Sequence, residues 1–389
     1  MSVTKTKKYS YIDSIRGYAV LMVLATHIFA FGGGSSNPDI ALSKFWVQCR
    51  MGVMLFYMIS ALTLFLSYDQ KLKVETHPVK NFFIRRFFRI VPLFYIICLF
   101  RIISPYIGIV TPKFDLMNII GTVTFTNGFM PKYIHGIVVG GWSIAVESIF
   151  YLTVPILFKF ITDIKRSVIF FILAVGLAVV LHSLAFRFLG THFSNDVLMN
   201  WTLVWLPLQL PVFALGIFLY FLFFKSGFSA ADHTKFNKPL SYFMVFTGLY
   251  FFIVASYGTR LFINENIGLS FALMLFIIAM AIHPGSYLNN KMMQFFGKIS
   301  YSFYLLHPIV ISFVGEPALN KVSQHMNPTL GFFVCYGLML ALTAAASYLS
   351  YRFIEQPFQK MGGKIIERSE NRNIKDNIDV SNTVDNTAI

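Results

Sequence analysis

The sequence predicts an all-α polytopic membrane protein of about ten transmembrane helices, with both termini in the cytoplasm. Three observations predict it. Hydrophobic residues make up 56% of the 389 and charged residues 13%. An average soluble domain carries about 25% charged residues, so this chain has too few to solvate a surface of its size. Apolar stretches recur at close to the roughly 20 residues that a helix needs to cross hydrocarbon. Lysine and arginine also sort by side. With the N-terminus inside, the inner segments hold 23 of the 32, the outer segments hold 8, and Arg16 within the first span is the last. That asymmetry is the positive-inside pattern. Together these features exclude a disordered chain, a nucleic-acid-binding module and an ordinary soluble enzyme. The net charge of +15 therefore reads as orientation in a membrane rather than as affinity for nucleic acid.

The elements follow in order. Residues 1–8, with Lys5, Lys7 and Lys8, form a short cytoplasmic segment. It is not the start of a cleaved signal. The apolar stretch after it contains Asp13, Arg16 and His27 and has no small-residue cleavage pattern before Gly32. Spans are expected near 12–31, 47–67, 88–108, 141–160, 168–188, 200–224, 240–257, 267–283, 298–315 and 330–351. Segment 114–130 is apolar too, but Asn118, Gly121 and Asn127 interrupt it, which predicts a re-entrant or interfacial piece. Residues 9–360 thus form one membrane domain. Residues 361–389, polar and rich in Asn, are expected to be a disordered cytoplasmic tail. Cys49, Cys98 and Cys335 show no paired spacing, so neither a disulfide nor a metal site is expected.

Charge inside hydrocarbon is expensive and marks candidate function. Arg16 and His27 are eleven residues apart, just over three helical turns, so they share a face of the first span about 16 Å apart along its axis. Asp13 stands three residues before Arg16, within pairing reach. Arg86 and Arg89, also i and i+3, open the third span. Guanidinium forks match phosphate oxygens, although such a cluster also serves as a membrane anchor on anionic lipid. Glu147 sits about two turns into an apolar helix that starts at Gly141. His307 precedes Pro308 in the ninth span and follows Tyr301 and Tyr304 at steps of three; a proline kink with satisfied polar groups is its structural alternative. The expected placement is asymmetric, with the arginines at the inner face and His27 and Glu147 toward the outer half. A polyanionic ligand docked inside, with a His and a carboxylate handling a proton on a substrate from outside, suits a group transfer across the bilayer.

Six segments then carry a resemblance. They are YIDSIRGYAVLMVLATH, GVMLFYMISALTLF, RRFFRIVPLFY, GGWSIAVESIFYL, GKISYSFYLLHPIV and SYRFIEQPF, spread over roughly residues 9–360. In this order they resemble the acyltransferase-3 family of membrane O-acyltransferases, in its short form without a secreted hydrolase-like domain. The departures are small. Ser148 stands where the family often has a second Glu, and Ala61 replaces a common Gly. The resemblance implies a transferase of the bacterial cytoplasmic membrane. It would move an acyl group, most commonly acetyl, from cytoplasmic acyl-coenzyme A to a hydroxyl of an exported or cell-surface carbohydrate such as O-antigen, lipopolysaccharide, capsule or exopolysaccharide. It implies His27 as the base or acyl-carrying residue with Glu147 assisting, and Arg16, Arg86 and Arg89 for the donor. Asp13, Trp142, Ser143, Tyr301, Tyr304 and His307 would line the site. Acetyl-coenzyme A is the implied donor, with no metal. The implied partners are a carbohydrate or lipid-linked glycan acceptor and membrane lipids, with no nucleic acid. The rival reading is a transporter or flippase of a glycan or lipid precursor, against which the lack of an evident inverted repeat counts.

Overall fold

The computed structural model describes residues 9–31, 41–107, 113–226, 237–257, 265–315, 318 and 325–386, and their regular structure is helical, with no strand among them. The long helices are α1 (Ser10–Phe31), α3 (Gly52–Leu72), α4 (Pro78–Ile103), α6 (Gly141–Phe160), α7 (Ile164–Leu189), α9 (Leu206–Phe224), α10 (Asn237–Ser256), α11 (Glu265–Ile282), α14 (Pro328–Ser350) and α15 (Gln356–Asn386). Shorter helices intervene: α2 (Ser43–Gln48), α5 (Leu116–Val123), α8 (Asn195–Val204), α12 (Lys291–Lys298) and α13 (Ser300–Val310). Among the described residues, eight helical stretches are long and apolar enough to cross a membrane, and Asn266–Ile282 and Ser300–Gly315 are shorter apolar helices. The chain is a polytopic membrane protein. The outward side chains of α7, among them Ile169, Ile172, Leu173 and Val179, are apolar and exposed, as lipid contact requires.

Three expectations are corrected. The span near 200–224 is two helices, because Trp205 is extended (φ −71°, ψ 162°) between α8 and α9. Pro207 stands in the first turn of α9 and has no N–H with which to continue a helix from α8. The third span starts early. Pro78 opens α4 in its first turn, so Arg85, Arg86 and Arg89 lie two to three turns inside a helix rather than at its tip. The tail is ordered at its start. A π-helical turn, Tyr351–Glu355, joins α14 to α15, and the Glu370 carboxylate takes the Thr76 backbone N–H (2.9 Å) and hydroxyl (2.8 Å) just before α4 and the Asn81 amide (2.6 Å) in its first turn. A polar stretch that looks disordered by composition is thus held by one carboxylate that serves as a cap for another helix. Segment 114–130 holds the short helix α5 and one 3-10 turn, Asn127–Phe129.

Close helix contacts set where the site lies. Gly17 faces the Met293 carbonyl oxygen and Gly297 faces that of Asp13, with no room for a Cβ at either position. This pair of glycines brings α12 against α1. Buried side chains of α1, α3, α4, α6, α9 and α11 form the main core, with Ile15, Met58, Phe65, Phe150, Phe213 and Ile277 inaccessible. A second apolar cluster joins α1 to α12, α13 and α14 through Leu24, Ile28, Phe303 and Met339. Helix α1 therefore runs through the centre of the bundle, so its polar face, which carries Arg16 and His27, looks into protein.

Candidate active site

Two chambers lie along α1. The first is lined by Arg16, Arg86, Arg89, Ser60, Glu147 and Tyr151, with Tyr301 and Tyr304 from α13. Arg16 donates from Nη2 to Thr63 Oγ1 (3.1 Å) and lies 3.9 Å from the Asp13 carboxylate. The Thr63 hydroxyl spends its own proton on the Ile59 carbonyl (2.8 Å), which leaves it an acceptor for Arg16. Glu147 Oε1 accepts from the Ser60 hydroxyl and from Tyr151 Oη (2.7 Å). The Arg86 guanidinium sits 5.6 Å from the Phe82 ring centroid and 5.7 Å from that of Tyr151, within cation–π range.

The neighbouring arginines are met differently. Arg85 binds both carboxylate oxygens of Glu75, at 2.7 and 3.1 Å. Neither Arg86 nor Arg89 makes an ion pair at 4 Å or less among the described residues. A part-buried guanidinium pair without a carboxylate bonded to it is costly unless an anion joins it. This chamber can hold a polyanion by bidentate contacts.

Sequence reasoning missed a second carboxylate beside it. Glu355 ends the π-helical turn and is 4% exposed. It accepts from Ser302 Oγ (3.0 Å) and Gln359 Nε2 (2.9 Å), and its charge acts on Arg89. The only signal was an acidic residue at the end of the last apolar stretch, which reads as a membrane boundary until the π turn aims it inward. Ser60, Thr63 and Tyr151 were missed for a plainer reason: nothing in an apolar run tells which hydroxyl faces an arginine.

The second chamber lies toward the Phe31 end of α1 and is lined by His27, Thr26, Arg50, Arg101, His135 and Trp142. Val53 and Tyr304 line both chambers and so form the wall between them. His27 Nδ1 is 2.8 Å from the Val23 carbonyl oxygen. A carbonyl only accepts, so Nδ1 carries the proton and Nε2 keeps a lone pair. The rings of His27 and His307 meet edge-to-face with centroids 4.8 Å apart. His307 is 1% exposed, its Nδ1 donates to the Phe303 carbonyl (3.2 Å), and its Nε2 has no partner among the described residues.

The wall is pinned. Gly140 stands at φ +77° just before α6, and a Cβ there would lie 3.0 Å from the Tyr304 hydroxyl. Tyr304 Oη lies 2.7 Å from Ser143 Oγ and 3.2 Å from the Gly140 carbonyl oxygen. Tyr57 closes the group by donating to the Ser143 carbonyl (3.3 Å). Tyr301 donates to the Ile90 carbonyl (2.6 Å) and fixes α13 on α4.

The structure therefore brings Arg16, Arg86, Arg89 and Glu147 together, and separately brings His27 to His307 and Trp142. It corrects one expected pairing. Glu147 belongs to the arginine chamber, bonded to Ser60 and Tyr151, and does not sit with His27. The reason is that α6 begins in the wall at Gly141, so two further turns carry Glu147 past Tyr304 into the first chamber. Arg50, Arg101 and His135 were also missed. In sequence, the two arginines counted only as outer-side charges.

The acyltransferase-domain profile of the acyltransferase-3 family matches residues 9–348. The chain belongs to that family. A Staphylococcus aureus (strain COL) protein named "Putative O-acetyltransferase SACOL0978" is 29% identical over 406 residues, covering 93% of this chain and 60% of that protein. The O-acetyltransferase OatA of Staphylococcus aureus (strain NCTC 8325 / PS 47) is 27% identical over 385 residues, covering 91% of this chain and 57% of that protein. The chain thus spans about three-fifths of the length of these relatives. No solved structure matches.

Proposed function

We propose that this acyltransferase-3 protein is a membrane O-acetyltransferase. It takes acetyl from acetyl-coenzyme A on the cytoplasmic side and delivers it to a hydroxyl of an exported or cell-surface carbohydrate. The names of its relatives support O-acetyl transfer, and the two-chamber geometry supports the route. The observation that carries the reading is the shared wall at Val53 and Tyr304, with three arginines on one side and an imidazole lone pair on the other. In this reading Arg16, Arg86 and Arg89 hold the phosphates of the donor. Arg16 and His27 are roughly 16 Å apart along α1, a distance that an extended pantetheine arm spans, which brings the thioester to the wall.

The chemistry then needs one base. His27 Nε2 takes the proton of the acceptor hydroxyl as its oxygen bonds to the thioester carbonyl carbon. The C–S bond breaks, coenzyme A leaves as thiolate, and the proton from His27 neutralises it. His307 packs on His27 and, with the Val23 carbonyl, fixes the ring so that Nε2 faces the chamber. Glu147 balances the arginine charge and holds Ser60 and Tyr151.

The test is transfer of label. Membranes carrying the protein receive acetyl-labelled acetyl-coenzyme A, and label is followed into the glycan fraction and released with mild base. Base-labile label from wild type and none from His27→Ala is the expected result. Wild-type turnover by His27→Ala, or glycan movement without donor consumption, overturns it; the latter result would select a transporter.

A further inference from the structure

We propose that Val53 and Tyr304 set the size of the acyl group, so that the wall between the chambers admits acetyl and resists longer chains. This rests on the transferase reading above and deepens it, because it names the residues that choose among donors. Val53 and Tyr304 line both chambers. In that reading the thioester reaches the wall before His27 acts. Whatever extends beyond the thioester carbonyl carbon then lies against these two side chains. An acetyl group places one carbon there, and propionyl and butyryl groups place longer tails. Such tails carry the same polar groups, so only shape tells them apart. Each methylene refused by an apolar surface is worth roughly 10- to 200-fold.

Neither side chain has room to step aside. Gly52, at the start of α3, packs so closely on the Ala19 carbonyl oxygen and the Val23 side chain of α1 that a Cβ has no place. The next residue, Val53, is therefore held near the level of Val23, about one turn before His27. Val53 is buried, and its branched Cβ leaves one strongly preferred rotamer in a helix. Tyr304 is buried too, with its hydroxyl 2.7 Å from Ser143 Oγ and 3.2 Å from the Gly140 carbonyl oxygen. Its ring meets Phe56 edge-to-face with centroids 6.1 Å apart and packs on His307 at 5.7 Å. To swing away, Tyr304 must give up those contacts. A stiff branched side chain and a doubly held ring thus bound the place where the acyl tail lies, and a packed surface of that kind accepts extra methylenes poorly.

The test compares donors. Membranes carrying the full-length protein receive acetyl-, propionyl- or butyryl-coenzyme A, each labelled in the acyl group. The kcat/KM for base-labile label in the glycan fraction is read for each. Wild type should prefer acetyl over butyryl by at least about 100-fold. Val53→Ala should narrow that ratio by roughly 10-fold or more, and Val53→Ile should widen it. Opposite signs from the smaller and the larger side chain cannot both come from misfolding. Val53→Thr keeps the branched shape and should keep the ratio, which separates size from polarity. Ile90→Ala enlarges the arginine chamber without touching a residue that the chambers share, and should keep the ratio too.

Equal kcat/KM for the three donors in wild type overturns this inference and leaves the transferase reading intact. A ratio unmoved by both Val53→Ala and Val53→Ile overturns it as well. So does a ratio relaxed equally by Ile90→Ala, because the acyl tail would then lie within the arginine chamber. Consumption of none of the three donors by wild type would sink the transferase reading and this inference with it.

Discussion

The two chambers share α1, α3, α4, α6 and α13, yet their polar groups are met in opposite ways. In the arginine chamber Arg16 is bonded to Thr63 and Glu147 to Ser60 and Tyr151, and beside it Glu355 is bonded to Ser302 and Gln359. What is left over is fixed positive charge on Arg86 and Arg89. In the histidine chamber what is left over is a lone pair, because the His27 Nδ1 proton is spent on the Val23 carbonyl. Fixed charge suits holding an anion through a reaction cycle. A free imidazole nitrogen suits exchanging a proton. In the proposed reading, binding belongs to one chamber and chemistry to the other, and a wall of a few residues joins them.

The sharpest way to break that division is to exchange its effects. His27→Ala should lower acetyl turnover by about 10²- to 10⁴-fold, the usual worth of a general base, while coenzyme A affinity stays within about twofold of wild type. Steady-state kinetics beside coenzyme A calorimetry reads both numbers. Arg89→Ala should do the reverse. KM for the donor should rise roughly 10- to 100-fold, as expected for the loss of a charge-assisted contact, with kcat changed only a few-fold. If Arg89→Ala cut kcat and left KM alone, the arginines would belong to the chemistry.

The wall itself gives a smaller and mixed effect. Gly140→Ala puts a Cβ at φ +77° and 3.0 Å from the Tyr304 hydroxyl. The left-handed backbone alone costs about 1–2 kcal/mol. The thermal midpoint should fall by a few degrees, and KM and kcat should both worsen, since both chambers use Tyr304. An unchanged midpoint would mean that the wall yields without strain.

The smallest effect is expected far from either chamber. Asp163 caps α7 by accepting the Arg166 backbone N–H (2.9 Å), and that bond holds its carboxyl below the usual carboxylate range. A carboxyl with a lowered folded pKa contributes stability at neutral pH that is lost as pH falls through that value. Asp163→Asn keeps a good cap, so stability near pH 7 should barely change. Its decline on acidification should be slightly shallower than in wild type. A steeper decline would contradict the assignment.

What was legible in the sequence follows the range of the interaction. The eleven-residue step from Arg16 to His27 and the three-residue step from Arg86 to Arg89 are local, and a single helix fixes both. The long apolar stretches are local too, and the helices appear near where hydropathy places them. The division of the site is not local. Glu147 sits with the arginines because α6 starts in the wall, and His27 meets His307 across 280 residues of chain. Glu355 faces inward because of a π turn that no apolar period announces. The ordered start of the tail depends on Glu370 reaching Thr76 and Asn81, a pairing that composition cannot encode. Arg50 and Arg101 look like outer-side anchors until the fold places them around one volume.

The central claim is that donor and acceptor enter from opposite sides and meet at the Val53–Tyr304 wall. Sealed vesicles of fixed orientation test it directly, with labelled acetyl-coenzyme A on one face and the glycan acceptor on the other. Transfer with the donor on the cytoplasmic face and the acceptor on the opposite face, and none with the two exchanged, is the predicted result. Transfer only when both substrates share a face would contradict the account.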